Sequence, residues 1–167
     1  SLRRSCARKR RRSSDARHDS ARPNPNARTP NAMPLDATIG TSFLNTYGRT
    51  TVDLQTFAGD SPLVGIYFSA HWCPPCKQYT PELARAYTAS TKQAEVAIVF
   101  VSSDRDQKSF DSYYAEMPFY ALPFGARDEA ASLGEKFGIR GIPTLVLLDG
   151  EGKLVNASIT GGHGQYL

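Results

Sequence analysis

The five residues Trp72-Cys73-Pro74-Pro75-Cys76 constrain this chain more than any other stretch of it. Two cysteines separated by two residues can close a small disulfide ring and reopen it, which is the chemistry of thiol–disulfide exchange. The run Leu63-Val64-Gly65-Ile66-Tyr67-Phe68 before them is apolar on both faces and reads as a central strand covered by helices. The run after them reads as a helix from Pro74 to about Ser90. Its Tyr79, Leu83 and Tyr87 recur at helical spacing and share a face with Cys76. Pro81 falls inside that helix and is expected to kink it. A CxxC pair at a strand-to-helix junction is a redox arrangement.

The position at the helix start separates the two sulfurs. Cys73 is expected at the N-cap, where the first helical N–H groups have no backbone partner and the helix dipole favours negative charge. Pro74 and Pro75 cannot donate, so Cys76 and Lys77 are expected to supply the first free N–H groups; Pro74 is pre-set for the first turn. Thiols in such motifs titrate near about 7, against about 8.5 for a free cysteine. Cys73 is therefore assigned as nucleophile and Cys76, one turn in and less exposed, as the resolving thiol. A competing reading is half a zinc site, His71-x-Cys73-x-x-Cys76. It lacks a fourth ligand, since the remaining cysteine, Cys6, lies in a basic tail. No metal and no cofactor are expected. Two inert buried cysteines are the other alternative, which the flanking Trp72 and prolines disfavour.

The remainder of the chain alternates strand and helix. Thr51 to Gln55 reads as a short edge strand and Glu95 to Val101 as a second buried strand. Asp104 with Gln107 three residues later resembles a capping box, followed by a helix through Phe110, Tyr113 and Tyr114 to about Glu116. Asp128 to Phe137 reads as a third helix with Gly138 as its left-handed C-cap. Thr144 to Leu148 and Leu154 to Ile159 read as strands joined through Asp149-Gly150-Glu151-Gly152 into a hairpin. Strands separated by helices and ending in a hairpin indicate an α/β fold with a mixed central sheet flanked by helices.

Charge divides the chain unevenly. Residues 1–32 hold nine Arg and one Lys against two Asp, whereas the rest holds ten basic and fourteen acidic residues, so the net +4 belongs to the tail. Residues 1–38 have too little apolar surface to offset their ordering entropy and read as a disordered basic tail; residues 39–167 read as one domain. Three readings of the tail stay open: translated sequence upstream of a true start at Met33, an organelle transit peptide, or a nuclear signal at Lys9-Arg10-Arg11-Arg12. No apolar run approaches the roughly 18 residues of a membrane helix, and no apolar h-region follows the arginines. The expected location is the cytoplasm, with the nucleus or an organelle as alternatives through the tail. Neither nucleic acid nor membrane is an expected partner, and the chain is expected to act as a monomer. Three cysteines do not make a secreted disulfide framework.

A second chemical element is Gly141-Ile142-Pro143-Thr144, at the start of a later strand. Beside a dithiol, a cis X-Pro bond there would expose the backbone of the preceding residue to an extended substrate peptide. With it the chain resembles the tryparedoxin and nucleoredoxin branch of the thioredoxin-like superfamily over about Ile39 to Ile159. The resemblance rests on Tyr67-Phe68-Ser69-Ala70-His71-Trp72-Cys73-Pro74-Pro75-Cys76, Thr80-Pro81, Met117-Pro118-Phe119-Tyr120-Ala121-Leu122-Pro123-Phe124 and Ile142-Pro143-Thr144. It implies a thioredoxin-like fold and disulfide reductase activity through Cys73 and Cys76, with Trp72, Ile142 and Pro143 lining the substrate contact surface.

Two departures stand out. Thioredoxins proper carry a buried Asp six residues before the first cysteine, and here that residue is Tyr67, a poor base at neutral pH. The family usually continues into a C-terminal helix, for which Gly161-Gly162-His163-Gly164 is unsuited, so a sheet lacking that helix is expected. His163 reads as a solvated loop residue; His71, next to the motif, is a candidate for tuning Cys73. The leading expectation is a reductase of protein disulfides, such as those of peroxidases, recharged by an upstream thiol or reductase. Trypanothione, glutathione and thioredoxin reductase all remain open for that role. A redox-sensitive interaction module contacting a signalling partner around Trp72, and an exported TlpA-like reductase, are the alternatives.

Overall fold

In the computed structural model, residues 39, 42–45, 50–54, 63–89 and 96–159 are described. The expected basic tail, Cys6 and His163 lie outside them. Seven strands form a single mixed sheet: β1 (Ser42–Leu44), β2 (Thr51–Asp53), β3 (Leu63–Ser69), β4 (Val96–Ser102), β5 (Tyr120–Ala121), β6 (Thr144–Asp149) and β7 (Leu154–Ile159). Their order is β2-β1-β5-β4-β3-β6-β7. Among the described residues the helices given with both ends are α1 (Pro74–Ala89), α2 (Gln107–Tyr114) and α3 (Arg127–Lys136). Among the described residues no helix follows β7, and none is long and apolar enough to cross a membrane.

Strands β3 and β4 run parallel, with Tyr67 opposite Phe100 and Ser69 opposite Ser102. On the other side β3 pairs antiparallel with β6, Phe68 opposite Thr144. Both faces of these central strands are covered, which is why their sequences are continuous apolar runs rather than alternating ones. Val64, Ile66, Phe68, Val99 and Val101 point to one face and pack with Leu133 of α3. Tyr67, Ile98 and Phe100 point to the other and meet Phe110, Tyr113 and Tyr114 of α2, with Tyr79, Leu83 and Tyr87 of α1 against them. This second face is largely aromatic. The Phe100 ring stacks on Phe110 at 5.8 Å and meets Tyr113 edge-on at 5.8 Å. Such contacts contribute roughly 0.5–1.5 kcal/mol each beyond area burial.

The ends of the elements follow from local chemistry, with one correction. The N-cap of α2 is Asp106, not Asp104: the Asp106 carboxylate accepts from the Ser109 N–H at 2.8 Å and the Ser109 hydroxyl at 2.9 Å. Asp104 has been turned inward instead. Helix α3 ends in a Schellman arrangement. Gly138 sits at φ +62°, its N–H donates to the Glu135 carbonyl, and the Ile139 N–H donates to the Gly134 carbonyl. Helix α2 stops at Tyr114, two residues earlier than expected. The edge strand at Thr51 is present but shorter, ending at Asp53. The β6–β7 hairpin is closed by Asp149, whose carboxylate accepts from the N–H groups of Glu151 and Lys153. Pro81 does lie inside α1.

Candidate active site

The carboxyl ends of parallel strands β3 and β4 and the amino end of β6 meet at one edge of the sheet. Open α/β sheets bind their ligands in this kind of crevice. Residues 70–73 turn the chain from β3 into α1. The Cys73 N–H donates to the Ala70 carbonyl at 3.2 Å, and the Cys73 carbonyl accepts the first helical bond from the Lys77 N–H at 3.1 Å. Cys73 is thus the N-cap residue, as its position in the sequence implies. The Lys77 N–H is not free, as the sequence reading has it; it is spent closing that first turn.

Both cysteines are free thiols with little exposed surface, 4% for Cys73 and none for Cys76. They form a small cluster with Ala70 and Ile142. The Cys73 thiol donates to the Ile142 carbonyl at 3.7 Å. The Ile142–Pro143 peptide is cis, and Pro143 is buried at the head of β6. Cys73, Cys76, Ile142 and Pro143, four residues singled out from sequence alone, therefore converge. Burial pushes the Cys76 thiol up to about 11; its hydrogen bond with Cys73 adds to this, while the Ser69 hydroxyl and the Ala70 backbone pull it down.

Trp72, the fifth, stands at the rim with half of its surface in solvent (51%). Its indole N–H donates to the Ser103 carbonyl at 3.0 Å, and the Arg105 guanidinium lies over its ring at 5.6 Å. His71 leans on Tyr113, ring centroids 5.5 Å apart, and its backbone N–H donates to the Asp104 carboxylate at 2.8 Å. Among the described residues no group of three or more His, Cys, Asp or Glu side chains is placed to hold a metal ion.

Sequence reasoning missed two groups of residues here. The first is a clamp on the back of the 70–73 turn. Asp104 is buried and accepts from His71 and from the Ser102 hydroxyl at 2.9 Å, while Arg127 donates to the carbonyls of Ser102 and Asp104. The Ser103 N–H completes it by donating to the Ser69 carbonyl at 2.9 Å. The second group is a set of buried hydroxyls behind Cys76. Tyr67 bonds Thr80 at 2.7 Å, Thr80 bonds Tyr113, and Tyr113 bonds Ser69 at 3.1 Å. Burial pushes both tyrosines above the usual phenol range. Of these four, Tyr67 alone was singled out for its chemistry, as the residue in place of an expected carboxylate.

A thioredoxin-like family model matches residues 61–154, which span the dithiol, the aromatic face and the cis-proline strand. The chain belongs to the thioredoxin-like family, in its tryparedoxin and nucleoredoxin branch. It is 38% identical to a tryparedoxin of Trypanosoma brucei brucei over 111 residues, covering 66% of this chain and 74% of that one. It is 44% identical to a nucleoredoxin of Danio rerio over 108 residues, 64% of this chain but only 25% of the relative. Among solved structures, tryparedoxin I of Crithidia fasciculata superposes with a TM-score of 0.66 at 33% identity, covering 73% of this chain and 84% of that one. The chain thus spans a quarter of that nucleoredoxin and most of a tryparedoxin. The chain is thus a member of an oxidoreductase family.

Proposed function

We propose that this chain reduces protein disulfides through Cys73 and Cys76. The observation that carries the reading is the Cys73 sulfur at the start of α1, against the Ile142 carbonyl, with Cys76 buried behind it. In the first step the Cys73 thiolate attacks a substrate disulfide. One substrate sulfur leaves as a thiolate, and the other is held in a mixed disulfide. In the second step Cys76, as thiolate, attacks the Cys73 sulfur and releases the second substrate thiolate. The substrate gains two electrons, and the chain is left with a Cys73–Cys76 disulfide. An upstream thiol or a reductase returns the chain to the dithiol. Trp72 and the Ile142–Pro143 backbone form the surface on which the peptide around the substrate disulfide lies, and peroxidase disulfides are the class of substrate favoured.

Insulin-disulfide reduction with a dithiol donor tests this. The wild type turns over and Cys73→Ser does not, while Cys76→Ser accumulates mixed disulfides. If Cys73→Ser traps substrate and Cys76→Ser does not, the roles are exchanged. A reduction potential near about −270 mV supports a reductase, whereas one near about −120 mV supports an oxidant.

A second reading is a redox-sensitive interaction module. Two observations favour it: the half-exposed Trp72 at the rim, and the similarity to nucleoredoxins. Partner binding that survives loss of both cysteines supports the module over the reductase. Monomeric action in the cytoplasm is part of the proposal. Sedimentation and a fluorescent fusion of residues 1–32 test it, and a nuclear or organellar signal would move the site of action.

A further inference from the structure

We propose that Arg105 selects the substrate: its guanidinium, resting on Trp72 beside the dithiol, receives a carboxylate side chain that flanks the disulfide being reduced. The inference deepens the dithiol reading above and rests on it. The segment between β4 and α2 meets the motif at Trp72. There the Ser103 carbonyl accepts from the indole N–H at 3.0 Å, and the Arg105 guanidinium lies 5.6 Å from the centre of the indole ring. Trp72 is exposed and adjoins Cys73, whose thiol is held against Ile142. Arg105 is exposed as well. The two acids next to it are engaged elsewhere. Asp104 is buried and accepts from the His71 N–H and the Ser102 hydroxyl, while Asp106 accepts from the N–H and hydroxyl of Ser109. Among the described residues no carboxylate and no carbonyl accepts from the Arg105 guanidinium.

The charge around the dithiol has the same sign as Arg105. Residues 33–167 hold ten basic and fourteen acidic residues, an acidic balance. The segments that come together at the motif, 71–78, 103–106 and 140–143, nevertheless expose Lys77, Arg105 and Arg140. Their two carboxylates are the buried Asp104 and the helix cap Asp106. A site mouth opposite in sign to the rest of its domain draws anionic groups toward itself. A guanidinium packed on an aromatic ring keeps its N–H donors at the edge of its plane, a fork that fits a carboxylate and that an ammonium does not reproduce. Arg105 takes no part in the exchange of electrons. It acts on the encounter and on the orientation of the peptide, and so on the first step, attack by Cys73. The substrate class is a protein disulfide with Asp or Glu beside the cysteine under attack.

The test uses the full reduced chain in a Cys6→Ser background. Its substrates are end-capped peptides that differ only in Glu, Gln or Lys beside one cysteine, each joined as a disulfide to pyridine-2-thiol. The Cys73 thiolate bonds to the peptide sulfur, the disulfide breaks, and pyridine-2-thiolate leaves and takes up a proton to give the coloured thione. The reporter is uncharged and does not bias the comparison. At low ionic strength the Glu peptide is expected to react about threefold faster than the Gln peptide and the Lys peptide about threefold slower, the size an exposed ion pair supports. Salt at about 0.5 M is expected to contract this span. Arg105→Gln is expected to narrow it to about threefold in all, and Arg105→Glu to put the Lys peptide ahead. Equal rates for the three peptides on the wild type, or an order that Arg105→Glu leaves as it was, overturns the proposal. So does an Arg105→Gln variant slowed by the same factor on all three, because the residue would then only prop Trp72. Release by Cys73→Ser as fast as by the wild type overturns the dithiol roles beneath the proposal; it is seen with any one peptide and does not depend on their order.

Discussion

Asp104 shows how much one carboxylate contributes when the fold turns it inward. It accepts from the backbone of His71, one residue before Trp72 and two before Cys73, and from Ser102 on the neighbouring strand. Replacing it by Ala leaves a backbone N–H and a hydroxyl without their acceptor in a buried place, which costs roughly 1–3 kcal/mol. Asp104→Ala is therefore expected to lower the urea midpoint and to slow disulfide reduction, because the turn that carries Cys73 loses its anchor. Asp104→Asn keeps one carbonyl oxygen for His71 and is expected to fall between the two. Urea denaturation read beside insulin turnover checks both. If Asp104→Ala matches the wild type in midpoint and turnover, the clamp has no weight.

Helix ends give a second set of expectations and mark where sequence alone was sufficient. Gly138 stands at φ +62°, a conformation that costs an L-residue about 1–2 kcal/mol. Gly138→Ala is expected to lower stability by about that amount without touching the dithiol, which the denaturation midpoint and unchanged turnover would show. Asp106→Ala is expected to weaken α2. Hydrogen bonds from Ser109 hold this carboxyl below the usual carboxylate range, so its contribution is present above that range and lost as pH falls through the lowered value. The difference between Asp106→Ala and wild type should thus shrink in acid; a difference constant with pH would show that the cap is not acting through its charge. That Gly138 was legible and Asp106 was not has a physical cause. A glycine closing an apolar-periodic run has one good use, whereas Asp104 and Asp106 both precede the same helix. Which of them caps is decided by the tertiary pull on the other. Strands β3, β4 and β6 were legible to within a residue because their apolar runs are long, and β7 because the turn Asp149-Gly150-Glu151-Gly152 marks a hairpin. Strands β1 and β5, of three and two residues, carry no periodicity to read. In the site, Cys73 and Cys76 were singled out from residue type and spacing and Trp72, Ile142 and Pro143 through the family resemblance, and the fold brings Cys73, Cys76 and Ile142 together. Ser69, Thr80 and Tyr113 were not singled out, since a hydroxyl network joining residues 33 and 44 apart depends on the packing of α1 and α2 over the sheet.

The molecule as a whole should tolerate neutral pH far better than alkali, for a reason built into its aromatic face. Tyr67, Tyr113 and Tyr114 are all buried there, and burial pushes each above the usual phenol range. Cys76 is pushed up to about 11 by the same cause. A group whose pKa is higher folded than unfolded binds its proton more tightly in the folded state. Its contribution is complete below the unfolded pKa and is lost as pH rises through the folded one. For Cys76 the loss begins above the ordinary thiol range near about 8.5, and for the tyrosines above about 10. Each such group adds a slope approaching about 1.4 kcal/mol per pH unit while only the unfolded form has ionised. The expected profile of the denaturation midpoint under reducing conditions is a plateau through neutrality, a shallow decline from about pH 9 and a steep one above about pH 10. Cys76→Ser should remove the shallow decline and leave the steep one, because its hydroxyl does not ionise in that range. Tyr114→Phe should make the steep decline gentler, though at a cost in stability at every pH, since the Tyr114 hydroxyl donates to the carbonyls of Leu44 and Phe119 and ties β1 to the loop before β5. A midpoint that stays flat from pH 9 to beyond pH 10, or rises, would mean that these groups ionise as readily folded as unfolded. The aromatic face would then have to admit water that its burial in this fold excludes.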